Sequence, residues 1–263
     1  MEILAYTASV FIGISLGLIG GGGSILTVPV LVYMFGVSPL LSTSYSLFIV
    51  GSTSLIGAFN SYKKGTVSVH TALLFGASSI MTVFVTRKFL IPLIPKQLFK
   101  IGDFQVTESI LTMILFAILM IAASFGMMID DTQKPQEVGS GNNYVKLFVF
   151  GIGIGLTTGL LGAGGGFLLI PTLVLLLRMP MKKAVGTSLL IIALNSLIGF
   201  AGDIGHFEID WRFLLKITGI AIAGVVFGGM IGRHVNSDQL KKGFGWFILV
   251  MGIYIIIHEF LTQ

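Results

Sequence analysis

An all-α integral membrane protein built from two homologous halves is the fold class the sequence predicts. Three observations predict it. Of 263 residues, 54% are hydrophobic and only 10% are charged, against about 25% charged in soluble domains. Several uncharged apolar runs exceed the roughly 18 residues that mark a membrane-spanning helix. And a glycine-rich break inside an apolar stretch occurs twice. Its first copy is Gly20-Gly21-Gly22-Gly23-Ser24, followed by Pro29; its second is Gly162-Ala163-Gly164-Gly165-Gly166, followed by Pro171. The two prolines lie 142 residues apart, as do Gly13 and Gly155, Gly17 and Gly159, Ser46-Leu47 and Ser188-Leu189, and Ser54 and Ser196. Backbone amides in hydrocarbon must be satisfied internally, so spans are helices or closed barrels. The runs are continuous rather than alternating, which selects helices.

The apolar segments fall near residues 3–19, 24–35, 39–60, 67–88 and 106–129, and again near 144–161, 167–177, 183–202, 211–233 and 243–261. Met1-Glu2-Ile3-Leu4 carries no basic leader, so the first segment reads as a retained span. Residues 1–129 form a first membrane repeat, 130–143 a polar linker rich in Gly, Asn and Ser, and 144–263 a second repeat. Each half has about four helical segments, giving 7–8 spans. The stretch Arg87 to Gln105, with Arg87, Lys88, Lys96 and Lys100, reads as an interfacial connection.

Two chain paths fit. In one, each broken segment crosses the membrane; in the other it enters and leaves by the same face, which makes the halves inverted repeats. The basic residues divide equally well for both paths. Residues 3–35 as one helix would run about 50 Å against a core of about 30 Å, and this excess length favours re-entry.

Paired discontinuous segments point to a solute-binding site. Glycines at a break free amide N–H groups from the helix ladder, and the half-helix beyond them starts with unpaired donors and a positive dipole end. Gly21, Gly22, Gly23 and Ser24, with Gly164, Gly165 and Gly166, are therefore candidate anion-binding residues. Tyr45-Ser46 aligns with Thr187-Ser188, and these hydroxyls, with Asn195, are candidate donors to the same solute. Gly13/Gly17, Gly151/Gly155/Gly159 and Gly224/Gly228/Gly232 have the small-xxx-small spacing of helix packing instead.

Asp203, His206, Glu208 and Asp210 form a short polar loop. Asp210 before Trp211 suits a helix N-cap. His206 and Asp203 are candidates for a proton relay. No Arg or Lys is expected at mid-span, which leaves the anion to amides and hydroxyls. No nucleophile–base–acid set, HExxH sequence, metal cluster or cysteine is present, so no catalytic residue, metal or cofactor is expected. The net charge of +5 reads as cytoplasmic loops rather than as a nucleic-acid surface.

The paired glycine–proline motif, with Gly186-Thr187-Ser188-Leu189, resembles the TauE/SafE (TSUP, DUF81) family of sulfite exporters over nearly the whole chain. The first half departs from the Gly-Thr-Ser form, having Ser44-Tyr45-Ser46. The resemblance implies a multi-pass inner (plasma) membrane transporter of small sulfur-containing anions such as sulfite, thiosulfate or organosulfonates. The expected reading is a secondary carrier working by alternating access. A passive anion channel and a non-transporting membrane scaffold are the alternatives. Its partners would be a small anionic solute and membrane lipid, with room for a coupling ion (proton or sodium) and for a homodimer, and no nucleic acid.

Overall fold

The computed structural model describes residues 2–19, 24–95, 97–101, 104–128, 143–177, 179–231 and 237–261. The predicted linker lies outside these except for Asn143, which opens a helix. The first half contributes α1 (Glu2–Ile19), α2 (Thr27–Tyr33), α3 (Pro39–Lys63), α4 (Val69–Val85) and α5 (Glu108–Met128). The second contributes α6 (Asn143–Leu161), α7 (Gly166–Leu177), α8 (Met181–Asp203), α9 (Trp211–Ile231) and α10 (Ser237–Leu261). Both α3 and α8, and α4 and α9, start 142 residues apart, the spacing of the repeated motif.

Among the described residues, five segments are long and apolar enough to cross a membrane: Pro39–Lys63, Val69–Leu93, Glu108–Phe125, Met181–Asp203 and Trp211–Met230. Shorter apolar helices lie at Ser9–Leu18, Ser24–Tyr33, Phe148–Leu161 and Gly245–Glu259. The outer surface is apolar, with Phe59, Met81, Phe89 and Phe227 all exposed, whereas the hydroxyl-rich faces of α3 and α8 point inward. That distribution suits a chain whose solvent is lipid, where polar side chains are costly outside and useful within.

The connection after α4 differs from the sequence expectation. The helix does not stop at Arg87. It continues through a π turn, Thr86–Leu90, and a 3₁₀ turn, Ile91–Leu93. A two-stranded antiparallel hairpin, β1 (Gln97–Ile101) and β2 (Phe104–Thr107), then leads into α5.

The long helices find their main partners in the other half: α1 packs on α9, α6 on α4, α3 on α8, and α5 on α10, whereas the short α2 and α7 pack on α3 and α8 of their own halves. The glycine stripes make these approaches possible. Gly13 lies against Ala221 and Gly224, and a Cβ added there would stand 2.8 Å from the Gly224 Cα. At the equivalent Gly155 it would stand 2.7 Å from the Thr82 Cβ. Small residues let backbones come this close, which gains dispersion energy where no hydrophobic effect operates between helices.

These contacts fix helix directions. Along α3 and α8, Leu47 meets Gly199, Gly51 meets Leu197, and Gly57 meets Leu189, so the two run antiparallel. The start of α3 therefore lies at the end of the bundle that holds Asp203, and its finish at the end that holds Lys64. Gly13 with Ala221 and Gly17 with Val225 make α1 parallel to α9, so α1 leaves the Asp203 end. α2 returns there to meet the start of α3, and Tyr33 Oη donates to Glu259 Oε1 (3.0 Å) near the end of α10. Gly151 with Ser78 and Gly159 with Thr86 make α6 parallel to α4, so α6 leaves the Lys64 end and α7 returns to it.

Candidate functional site

The second break is fully described. The Gly162 N–H donates to the Thr158 carbonyl (2.9 Å), closing α6. Gly162, Gly164 and Gly165 then all have φ of +67°, a region that costs other L-residues roughly 1–2 kcal/mol each. The chain reverses here and restarts as α7, with Leu168 and Leu169 donating to the Gly165 carbonyl (3.1 and 2.9 Å). Gly166 is the first residue of α7. Gly164 sits against Val50 and Ile192, midway along α3 and α8, so the break lies at the centre of the bundle.

The first break falls partly outside the described residues, which exclude Gly21, Gly22 and Gly23. Its far edge is visible: residues 24–26 form a 3₁₀ turn leading into α2. Ser24 is buried, and its Oγ donates to the Ala163 carbonyl at 2.5 Å. Ser24, the described edge of the first motif, thus touches the second break across 139 residues of sequence.

Around this junction lie buried polar atoms with no partner among the described residues: Thr27 Oγ1, Ser46 Oγ, Ser54 Oγ, Thr158 Oγ1, Ser196 Oγ and Asn195 Oδ1. Ser196 Oγ comes within 3.2 Å of where a Gly164 side chain would begin, and Thr158 Oγ1 abuts Gly165. Asn195 is held by donating through Nδ2 to Ser79 Oγ (2.6 Å). Buried polar atoms are nearly always paired in folded proteins, so the five unpaired hydroxyls are donors without an acceptor, and Asn195 Oδ1 is an acceptor without a donor.

A cleft of about 150 Å³ leads in from the Lys64 end. Its walls are Thr53, Ser54, Asn60 and Ser61 of α3, Leu16–Gly17–Leu18 in the last turns of α1, Val185 and Leu189 of α8, and Val225 and Gly229 of α9. At about 30 Å³ per water in the liquid, it has room for a small oxyanion. Lys64, exposed, stands at its mouth.

The other predicted donors are placed elsewhere. Tyr45 Oη accepts from the Asp210 N–H (2.8 Å), and Thr187 Oγ1 accepts from the Ser68 N–H (3.0 Å). Donors and acceptors are each related by the 142-residue spacing, so one fastening is made twice: a hydroxyl from α3 or α8 holds the residue before α9 or α4. Ser188 Oγ donates to its own helix at Val185 (2.9 Å), whereas the aligned Ser46 Oγ has no partner among the described residues. His206 is exposed, and its backbone N–H donates to the Asp203 carbonyl (3.0 Å). Asp210 caps α9, with Oδ1 accepting from the Arg212 and Phe213 N–H groups at 3.0 Å each. Asp210→Ala should lower thermal stability in detergent by about 1 kcal/mol, the usual worth of such a cap.

One expectation is overturned. Arg87 is neither interfacial nor exposed: it is completely buried, and its Nη1 donates to Asp203 Oδ2 at 3.0 Å, with both side chains inaccessible. The π turn carries the helix past the point where the polar run suggested a boundary and turns Arg87 inward. A buried cation therefore does exist in this bundle. The signal that could have found it was Asp203 itself, since an intramembrane carboxylate requires a partner.

Comparison with known proteins places these features in context. The family described as "Sulfite exporter TauE/SafE" matches residues 5–255. A "Probable membrane transporter protein" of Xylella fastidiosa is 27% identical over 93% of this chain and 91% of its own length. "Probable membrane transporter protein YunE" of Bacillus subtilis is 27% identical over 91% of this chain and 89% of its own. "Probable membrane transporter protein MJ0441" of Methanocaldococcus jannaschii is 33% identical over a shorter stretch, 41% of this chain and 43% of its own. No solved structure matches.

Proposed function

We infer the function from one premise: the chain belongs to the sulfite exporter TauE/SafE family, a family of multi-pass membrane transporters. Within it, this protein is a secondary carrier that exports small sulfur-containing anions such as sulfite, thiosulfate or organosulfonates by alternating access. The observation that carries this reading is the cleft from Lys64 to Thr53 and Ser54, which runs beside the last turns of α1 toward the paired breaks. A cation at the mouth and neutral donors within suit an anion that must bind and leave again. Amides and hydroxyls give several bonds of about 0.5–1.5 kcal/mol each rather than one permanent ion pair.

Two further features support a carrier. The α1–α2 and α6–α7 hairpins enter from opposite ends of the bundle, the arrangement of inverted repeats. Lys63, Lys64, Lys182 and Lys183 gather at the Lys64 end, which makes that end cytoplasmic by the charge bias of membrane loops. The cleft is then loaded from the cytoplasm, as export requires. Because the long helices pack chiefly on helices from the other half, the bodies that rock against each other combine helices of both halves.

A thermal-shift panel on detergent-purified protein tests the assignment, using sulfite, thiosulfate, sulfate, sulfoacetate, taurine and a chloride control. Ligand at 100 times its Kd stabilises the folded state by about 2.7 kcal/mol. A shift selective for one sulfur anion is the expected result, and no selectivity over chloride would sink it. Lys64→Glu should slow proteoliposome flux by about tenfold at low ionic strength, with the deficit shrinking as salt screens the mouth. An equal deficit at all salt concentrations would remove Lys64 from the path.

A further inference from the structure

We propose that Arg87 is a specificity-determining residue for transport, whose guanidinium edge receives the oxyanion in exchange for Asp203 when the Asp203 end opens. The inference rests on the oxyanion-carrier reading above.

The first observation is an incomplete ion pair. Asp203 Oδ2 takes only Nη1 of Arg87. Nε and Nη2 of Arg87 are buried and have no partner among the described residues, whereas the Asp203 carboxylate also has Ser44 beside it. A purely structural arginine–carboxylate pair commonly uses two parallel bonds, and leaving charged donors unmet inside a bundle is costly. Here the Nε–Nη2 edge, the side-on fork of the guanidinium, is left whole. Two oxygens of a pyramidal or tetrahedral sulfur oxyanion match that fork as a carboxylate or phosphate does. A lysine ammonium, a point charge, could not offer it.

The second observation is where the pair sits. The residues 142 positions away from Arg87 and Asp203 are Gly229 and Ser61, and both line the polar cleft at the Lys64 end. The ion pair thus fills, at one end of the bundle, the place that is an open cleft at the other. Gly202 leaves room against the Arg87 stem, with its missing Cβ position 3.1 Å from the Arg87 Cβ. Ser44 flanks the carboxylate. Opening that end separates Arg87 from Asp203 and presents the fork to the departing or arriving anion. Closing it returns the carboxylate and expels the anion by competition for the same cation.

Binding and flux measurements on the full chain in detergent and in proteoliposomes, with sulfite and thiosulfate as probes, test this. Arg87→Lys keeps a cation for Asp203 but removes the fork. Its apparent affinity should fall about tenfold or more, the worth of one lost charge-assisted bond. Asp203→Asn removes the competitor, so binding should tighten by about tenfold while flux slows. A merely structural pair would move both variants in one direction, with affinity falling as the melting temperature falls; that pattern, or wild-type affinity in Arg87→Lys, overturns the proposal. Should Arg87→Lys fail to fold, the neutral pair Arg87→Gln with Asp203→Asn replaces it: loss of binding supports the proposal, and wild-type affinity overturns it. If the wild-type protein binds and moves neither probe, the carrier reading falls and takes this inference with it. If the wild type does both and the variants match it, only the Arg87 inference falls.

Discussion

Gly165→Leu is expected to bring anion flux in proteoliposomes to background while the protein still inserts and purifies as a monodisperse species. The backbone at Gly165 has φ of +67°, which costs a leucine roughly 1–2 kcal/mol. A side chain there meets Thr158 Oγ1, and its first carbon stands 3.0 Å from the Ile154 Cγ2. Overpacking of this kind costs roughly 1–3 kcal/mol more. The sum is a few kcal/mol, concentrated at the junction where Ser24 meets Ala163. The helices that hold the protein in the bilayer lie elsewhere, so insertion survives while the break is reshaped. Gly165→Ala should fall between wild type and leucine. Normal flux in the leucine variant, measured by uptake of labelled sulfite into vesicles, would remove the second break from the transport path.

Arg87→Met is expected to produce the largest loss of stability of any single change considered. It leaves Asp203 buried with no cation, and breaking a buried pair from one side costs about 3–5 kcal/mol out of a total stability of about 5–15 kcal/mol. Pairing it with Asp203→Leu should recover most of that loss, because a well-packed apolar pair of similar volume is often as stable as the charges it replaces. Thermal melts of the single and double variants in one detergent measure the difference. A single variant that melts with the wild type would mean that the pair is not closed in the membrane.

These two sites also mark what could be read from the residues alone. The break at Gly162–Gly166 was legible because so dense a run of glycines cannot serve one face of a packed helix, and because Pro29 and Pro171 repeat the motif; Gly20–Gly23 lie outside the described residues. The packing role of Gly13, Gly17, Gly155 and Gly159 followed from spacing and matches the observed approaches to α9 and α4. Asp210 as a cap followed from its place before Trp211. The alignment of Tyr45 with Thr187 corresponds to a repeated contact that spacing alone did not foretell: both hydroxyls accept from backbone N–H groups at the start of a helix from the opposite half. No local pattern reveals a partner more than a hundred residues away. Arg87 was hidden by its neighbours. With Lys88 beside it and Pro92 and Pro95 following, it looked like the edge of the membrane, and only the π turn at Thr86–Leu90 carries the helix beyond. The cleft was not legible, since its walls are gathered from α1, α3, α8 and α9, and no local pattern brings them together.

The pairing of Arg87 with Asp203 also sets a clock on assembly. The two are 116 residues apart, and chains grow at about 5–20 residues per second. Arg87 therefore leaves the ribosome on the order of ten seconds before its carboxylate exists. Throughout that interval the nascent first half carries an unmatched cation at a cost of about 2.5–3.5 kcal/mol on insertion scales, eased by its long stem reaching toward the headgroups. The glycine stripe of α1 likewise faces lipid until α9 is made. The first half thus reaches its final packing only after residues near Asp203 have been made.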